Sequence, residues 1–147
     1  MTNSNQFPEK PDFAITISSQ TQLLRMVVEL TRHITVLFHF PATDSQKISL
    51  AIDEAVTNVI KHSYRNDEKK QITIEYYLSS RGIKIKLIFT GIPPRTISEE
   101  INIKKMIKNK RKGGLGVQLM KRIMDSVEYK TVNGVNCCEM IKWQKAN

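Results

Sequence analysis

The longest regular pattern in the chain runs from Ser45 to Arg65. Its apolar residues Ile48, Ala51, Ile52, Ala55, Val56, Val59 and Ile60 recur at three- and four-residue steps, which predicts a helix with one buried stripe. Thr43 or Asp44 is placed to cap it, and it gives out in the polar turn at Asn66 and Asp67. A second helical pattern carries Leu23, Leu24, Val27, Val28, Leu30, Ile34, Leu37 and Phe38, opening after Ser18 or Ser19 and ending before Pro41. A third carries Val117, Leu119, Met120, Ile123, Met124 and Val127. Elsewhere the period is two. Asp12 to Ile17, Gln71 to Leu78, Gly82 to Phe89, Ser126 to Val132 and Val135 to Trp143 read as strands, with hairpins at Ser79–Gly82 and Asn133–Gly134. Ile83, Ile85, Leu87 and Phe89 share one face of their strand and Lys84 and Lys86 the other, so the sheet has one side against the helices and one side wet.

Composition adds limits rather than structure. With 147 residues and ordinary apolar and charged fractions, the chain is expected to form one domain, residues 12–147, behind a flexible polar tail, residues 1–11. No apolar run is long enough to span a bilayer and the start lacks a secretory pattern, so a cytoplasmic protein with no membrane partner is expected. Cys137 and Cys138 are neighbours that a strand would point to opposite faces, which argues against a disulfide framework or a metal cluster. His33 and His39 lack companions at ligand spacing and receive no role.

The net charge of +9 is concentrated between the strand ending at Phe89 and the third helix. From Thr90 to Lys112 no long period holds: Gly91 and Pro93–Pro94 break the strand, Ile97 to Ile107 allows a short helix, and Lys104, Lys105, Lys108, Lys110, Arg111 and Lys112 follow. The segment reads equally as a solvated loop and as a lid over phosphates or an acidic partner. It lacks the aromatic interleaving or groove-reading helix of nucleic-acid binders, so direct nucleic-acid binding is not expected.

Two stretches carry candidate chemistry. Glu54, Asn58 and His62 stand four apart and would line one edge of the central helix: a carboxylate able to take a proton, an amide oxygen suited to magnesium, and an imidazole. By spacing alone they are also what the polar side of a core helix carries. Lys112-Gly113-Gly114-Leu115-Gly116 opens the third helix, where backbone amides and the helix dipole favour phosphate, although glycines also serve tight turns and close packing.

Together, IDEAVTNVIKHSY and KGGLGVQLMKRIMDSVEY, in this order of elements, resemble the anti-sigma-factor serine kinases of the histidine-kinase-like (Bergerat) ATPases, over about Asp12 to Trp143. The resemblance implies an α+β fold, a two-layer sandwich whose mixed, mainly antiparallel sheet of about five strands is covered on one face by three helices. It implies a lid over about residues 92–113, ATP and Mg2+ as cofactors, and homodimerisation. It also implies a sigma factor as the sequestered partner and an anti-anti-sigma protein as the phosphorylated one. Carried over by position, Glu54 is the catalytic glutamate, Asn58 the magnesium ligand, His62 a common companion, and Lys112, Gly113, Gly114, Leu115 and Gly116 the glycine-rich nucleotide box.

One box departs from the pattern. The family's Asp-x-Gly, whose aspartate accepts a hydrogen bond from the adenine amino group, is here Phe89-Thr90-Gly91; strand parity puts Phe89 on the inward face and keeps Gly91 in place. Two functions follow: a partner-switching regulator whose kinase activity depends on Glu54, Asn58 and Mg-ATP, or a pseudokinase that uses the same fold only to hold a protein partner.

Overall fold

A computed structural model describes residues 6–94 and 112–145, with the side chains of residues 112–115 outside the description. The predicted helix at Ile97 to Ile107 and the lysines from Lys104 to Lys110 therefore lie outside the described residues, as does most of the proposed lid. In chain order the elements are β1 (Phe13–Ser18), α1 (Thr21–Leu37), α2 (Ala42–Asn58) continuing into a π-helical turn (Val59–Ser63), β2 (Gln71–Ser79), β3 (Gly82–Phe89), α3 (Lys112–Ile123), β4 (Ser126–Val132) and β5 (Val135–Trp143).

The five strands form one sheet in the order β1-β2-β3-β5-β4, and all four pairings are antiparallel rather than mixed. The hairpins predicted from turn residues are present: Asn133 and Gly134 both take positive φ, the geometry that lets a two-residue turn follow the twist of its strands. Period-two alternation sends Ile72, Ile74 and Tyr76 of β2, Ile83, Ile85, Leu87 and Phe89 of β3, and Cys138 and Met140 of β5 to one face. Against that face pack Val27 and Ile34 of α1, Ile48, Ala51, Ile52, Ala55 and Val56 of α2, and Met120 and Ile123 of α3, so the two-layer α+β expectation holds. Because α2 packs against both α1 and α3, it is the middle helix of its layer.

Neither helix cap follows the sequence expectation. α1 is preceded by Gln20 and α2 by Pro41, and neither position makes a side-chain cap. Ser19 is instead fully buried, its Oγ donating to the Asp67 carbonyl and accepting from Lys70 N–H at 3.2 Å, which ties the end of β1 to the turn before β2. Two further hydroxyls stitch the layers together. Thr31 Oγ1 donates to the Val27 carbonyl at 2.8 Å and lies 2.7 Å from Tyr76 Oη, so the single Thr31 proton is used within α1 and Tyr76 donates across the interface.

The outer face is wet but not bare. Phe7, within the segment read as a tail, stacks on Trp143 with ring centroids 5.0 Å apart. Lys84 Nζ stands 4.4 Å from the Tyr77 ring centroid, and Lys86 pairs with Glu139 at 3.8 Å. Cys137 is half-buried on this side while Cys138 faces the core, as their adjacency required; both are free thiols.

Candidate functional site

Glu54 and Asn58 sit one turn apart near the C-terminal end of α2, both partly buried. The glycine-rich stretch comes to meet them. A β-carbon built on Gly116 would overlap the Glu54 carboxylate, with Oε2 the nearest atom and Cδ at 3.2 Å, so the carboxylate lies directly on the backbone of α3. Lys112, Gly113, Gly114 and Leu115 form the first turn of that helix, which contains no acidic residue. Its leading N–H groups have no partner within the helix, and a phosphate is the kind of ligand they favour.

Among the described residues Asn58 Nδ2, like Ser45 Oγ, is buried without a hydrogen-bond partner. An amide left in that state usually costs stability, and Asn58 stands one turn along α2 from the Glu54 carboxylate, as a group held for a ligand would. Its oxygen is the hard donor that magnesium takes, and its N–H suits a phosphate oxygen or a metal-bound water. The residues at this end of the site therefore fit a magnesium–phosphate group.

The helical line predicted through Glu54, Asn58 and His62 holds for the first pair and shifts at the third. Directly after Asn58 the backbone widens into the π-helical turn Val59–Ser63, a device common at functional sites, and the extra residue turns Ser63 and Tyr64 inward while His62 is exposed.

Ser63 and Tyr64 fasten this turn to the end of β3. The Ser63 carbonyl accepts Ile92 N–H at 3.0 Å and lies against Gly91, whose φ of +88° and lack of a side chain allow that approach. Tyr64 Oη donates to the Gln71 carbonyl at 2.5 Å and accepts Thr90 N–H at 2.9 Å. The strand position that carries base recognition in the resembled family is thus tied to the helix carrying Asn58. Sequence reading assigned neither Ser63 nor Tyr64, because a π turn leaves no periodic signal of its own.

Phe89 points inward, as parity required, and is 2% exposed, its ring edge-on to Tyr64 with centroids 6.4 Å apart. No carboxylate stands at that position. Its neighbour across the ladder on β5 is Asn136, which is fully buried. Asn136 Oδ1 accepts from Thr131 Oγ1 at 2.7 Å and Nδ2 donates to the Gly91 carbonyl at 3.4 Å. A separate groove of about 320 Å³ lies between α1 and α2, lined by Thr21, Leu24, Arg25, Val28, Glu29 and Asp53; none of the predicted site residues lines it. Among the described residues no three His, Cys, Asp or Glu side chains converge as a metal cluster would need.

A family model described as a histidine kinase-like ATPase domain matches residues 17–142. The chain is 30% identical over 110 residues to the serine-protein kinase RsbW of Listeria innocua, a match covering 67% of this chain and 65% of the relative. It is 23% identical over 103 residues to RsbW of Bacillus velezensis, covering 63% and 61%. The chain thus spans just under two thirds of the length of these relatives. Among solved structures, the RsbU and RsbW domains of a Mycobacterium tuberculosis protein superpose with a TM-score of 0.63 at 16% identity, over 92% of this chain and 34% of that one. The catalytic domain of the histidine kinase ThkA superposes with a TM-score of 0.53 at 14% identity, over 92% and 99%. Both likenesses concern the fold.

Proposed function

Because the chain belongs to the family of histidine kinase-like ATPase domains, we propose that it is an anti-sigma-factor-type regulator that works by partner switching: it sequesters a sigma factor and phosphorylates an anti-anti-sigma protein on serine with Mg-ATP. The observation that carries this is the Glu54 carboxylate lying on the backbone of Gly116 in α3, one helical turn from Asn58, whose amide nitrogen has no partner among the described residues. The proposal includes a homodimer in the cytoplasm and leaves membrane and nucleic acid aside. No helix among the described residues is long and apolar enough to cross a membrane.

ATP, when bound, supplies the phosphoryl group, and magnesium neutralises its charge. The chain's own residues do the positioning, which is most of what phosphoryl transfer asks of a protein. Asn58 would hold the cation through its amide oxygen, and the N–H groups at the start of α3, Lys112 to Leu115, would take the phosphates. Glu54 orients the serine hydroxyl and takes its proton, from a place fixed by the backbone of α3. Gly91 and the π-helical turn keep the end of β3 in register with these groups.

Transfer of labelled phosphate from ATP to a cognate anti-anti-sigma protein is the test. Labelling of the serine, abolished by Glu54→Gln, supports the proposal; no transfer at saturating Mg-ATP removes the enzymatic half and leaves sequestration. Phe89 favours a second reading, a pseudokinase that holds its partner without phosphorylating anything, because an apolar ring stands where a base-reading carboxylate is expected. A partner held equally well with and without nucleotide would decide for it.

A further inference from the structure

Phe89 removes one base-reading group from β3, and the adjacent strand supplies another. Asn136 is the Cα partner of Phe89 across the β3–β5 ladder, so the two side chains stand side by side on the same inward face. It is the one amide residue that is buried as a whole among the described residues, at an inward position that β5 otherwise fills with Cys138 and Met140. An asparagine there is costly unless its polar atoms are used. An amide has two N–H donors and two lone pairs. Asn136 spends one lone pair on the Thr131 hydroxyl at 2.7 Å and one N–H on the Gly91 carbonyl at 3.4 Å, the outer limit of a hydrogen bond, which leaves one donor and one acceptor without a partner among the described residues.

We infer that Asn136 is the residue that reads the nucleotide base in this chain, and that it admits guanine as well as adenine. The inference rests on the proposal that the chain binds Mg-nucleotide. A carboxylate only accepts, so it selects the exocyclic amino group of adenine; an amide offers a donor beside an acceptor and pairs with adenine through both. With the amide turned over, the same pair meets guanine, donating to O6 and accepting from N1–H. Turning over has one cost. The Thr131 hydroxyl can donate to the amide oxygen or accept from the amide nitrogen, but the long bond to Gly91 is lost and the amide oxygen then faces that carbonyl, a repulsion set against the two bonds gained with guanine. Exchanging an acceptor-only group for an amide therefore relaxes the choice between the purines.

Calorimetry with Mg-ATP and Mg-GTP on the intact chain tests this without any variant: wild type is expected to bind both, within about tenfold of each other. Asn136→Ser, which keeps a small polar group, is expected to weaken both by about tenfold or more, the discrimination a bidentate amide supplies. Asn136→Asp is expected to keep ATP and lose GTP. A wild-type preference for ATP of more than about a hundredfold, or a folded Asn136→Ser protein that binds both nucleotides as wild type does, would overturn the inference while sparing nucleotide binding itself. Failure of wild type to bind either nucleotide would overturn the nucleotide-binding proposal, and this inference with it.

Discussion

The Glu54 carboxylate rests on the backbone of Gly116, so a glycine is required there not by backbone conformation but by the acid beside it. Gly116 lies within α3, where alanine is favoured over glycine by about 1 kcal/mol. The atoms an added methyl would meet are the far end of a side chain that can rotate. Gly116→Ala should therefore leave the melting temperature unchanged or raised, while displacing the carboxylate and lowering phosphotransfer by about two orders of magnitude, the usual worth of a positioned base. A thermal melt beside a transfer assay checks it. A variant that transfers phosphate normally would show that the carboxylate has no catalytic duty.

Glu54→Gln separates charge from shape. The substitution is nearly isosteric, so folding and any ATP binding should persist while phosphotransfer to the anti-anti-sigma protein is lost, because the amide cannot take the serine proton. Loss of the folded state in circular dichroism would instead make Glu54 a structural residue, holding α2 against α3.

The contact between the layers through Tyr76 has a pH signature. Burial raises its phenol from 10 to about 12. The native state thus holds the proton more tightly than the unfolded chain, so the contribution is complete below pH 10 and is lost as pH rises through about 12. Cys138, raised from 9 to about 12 by burial, acts in the same direction. Tyr76→Phe should cost about 1 kcal/mol at neutral pH, through the lost bond to Thr31, and should flatten the alkaline loss. Urea melts of both proteins between pH 8 and 11.5 measure this; identical alkaline profiles would place the sensitivity elsewhere.

Much of the fold was legible because burial on one side imposes a period. The stripe from Ile48 to Ile60 and the alternation from Ile83 to Phe89 each report which face meets the core, and parity was enough to turn Phe89 inward. Caps were not legible in the same way, since Ser19 satisfies a loop instead of a helix end. The candidate site was half visible. Glu54, Asn58 and Gly116 lie in motifs whose chemistry depends on residue type, but Asn136 makes sense only once β5 is known to pair with β3. One signal was present: a polar residue in phase with Cys138 and Met140 on a strand whose inward face is otherwise apolar. His62 was misplaced along its helix for a reason no spacing could supply, the widening of the backbone after Asn58.

On the nucleotide-binding proposal, Phe89 sets how strongly the chain holds adenine. Losing a carboxylate acceptor is worth about 1.5–3 kcal/mol, or roughly ten- to a hundredfold in affinity. Wild-type protein should accordingly bind Mg-ATP no more tightly than the high micromolar range, and Phe89→Asp should tighten it. The substitution carries a structural cost, because Phe89 is buried against Tyr64 and loses that packing, about 3–5 kcal/mol for removal of a buried phenyl ring, before the desolvation of a charge is counted. Phe89→Asn supplies an acceptor without the charge and should show the smaller loss of stability. If the position is a base contact, the two variants should melt lower than wild type without ligand and recover more than wild type when Mg-ATP is added, since a ligand that binds only the folded state stabilises it. Melts with and without Mg-ATP, set beside calorimetric affinities for the three proteins, separate a recovered base contact from simple damage to the core. Tight ATP binding by wild type that neither substitution improves would mean that this strand position does not touch the base.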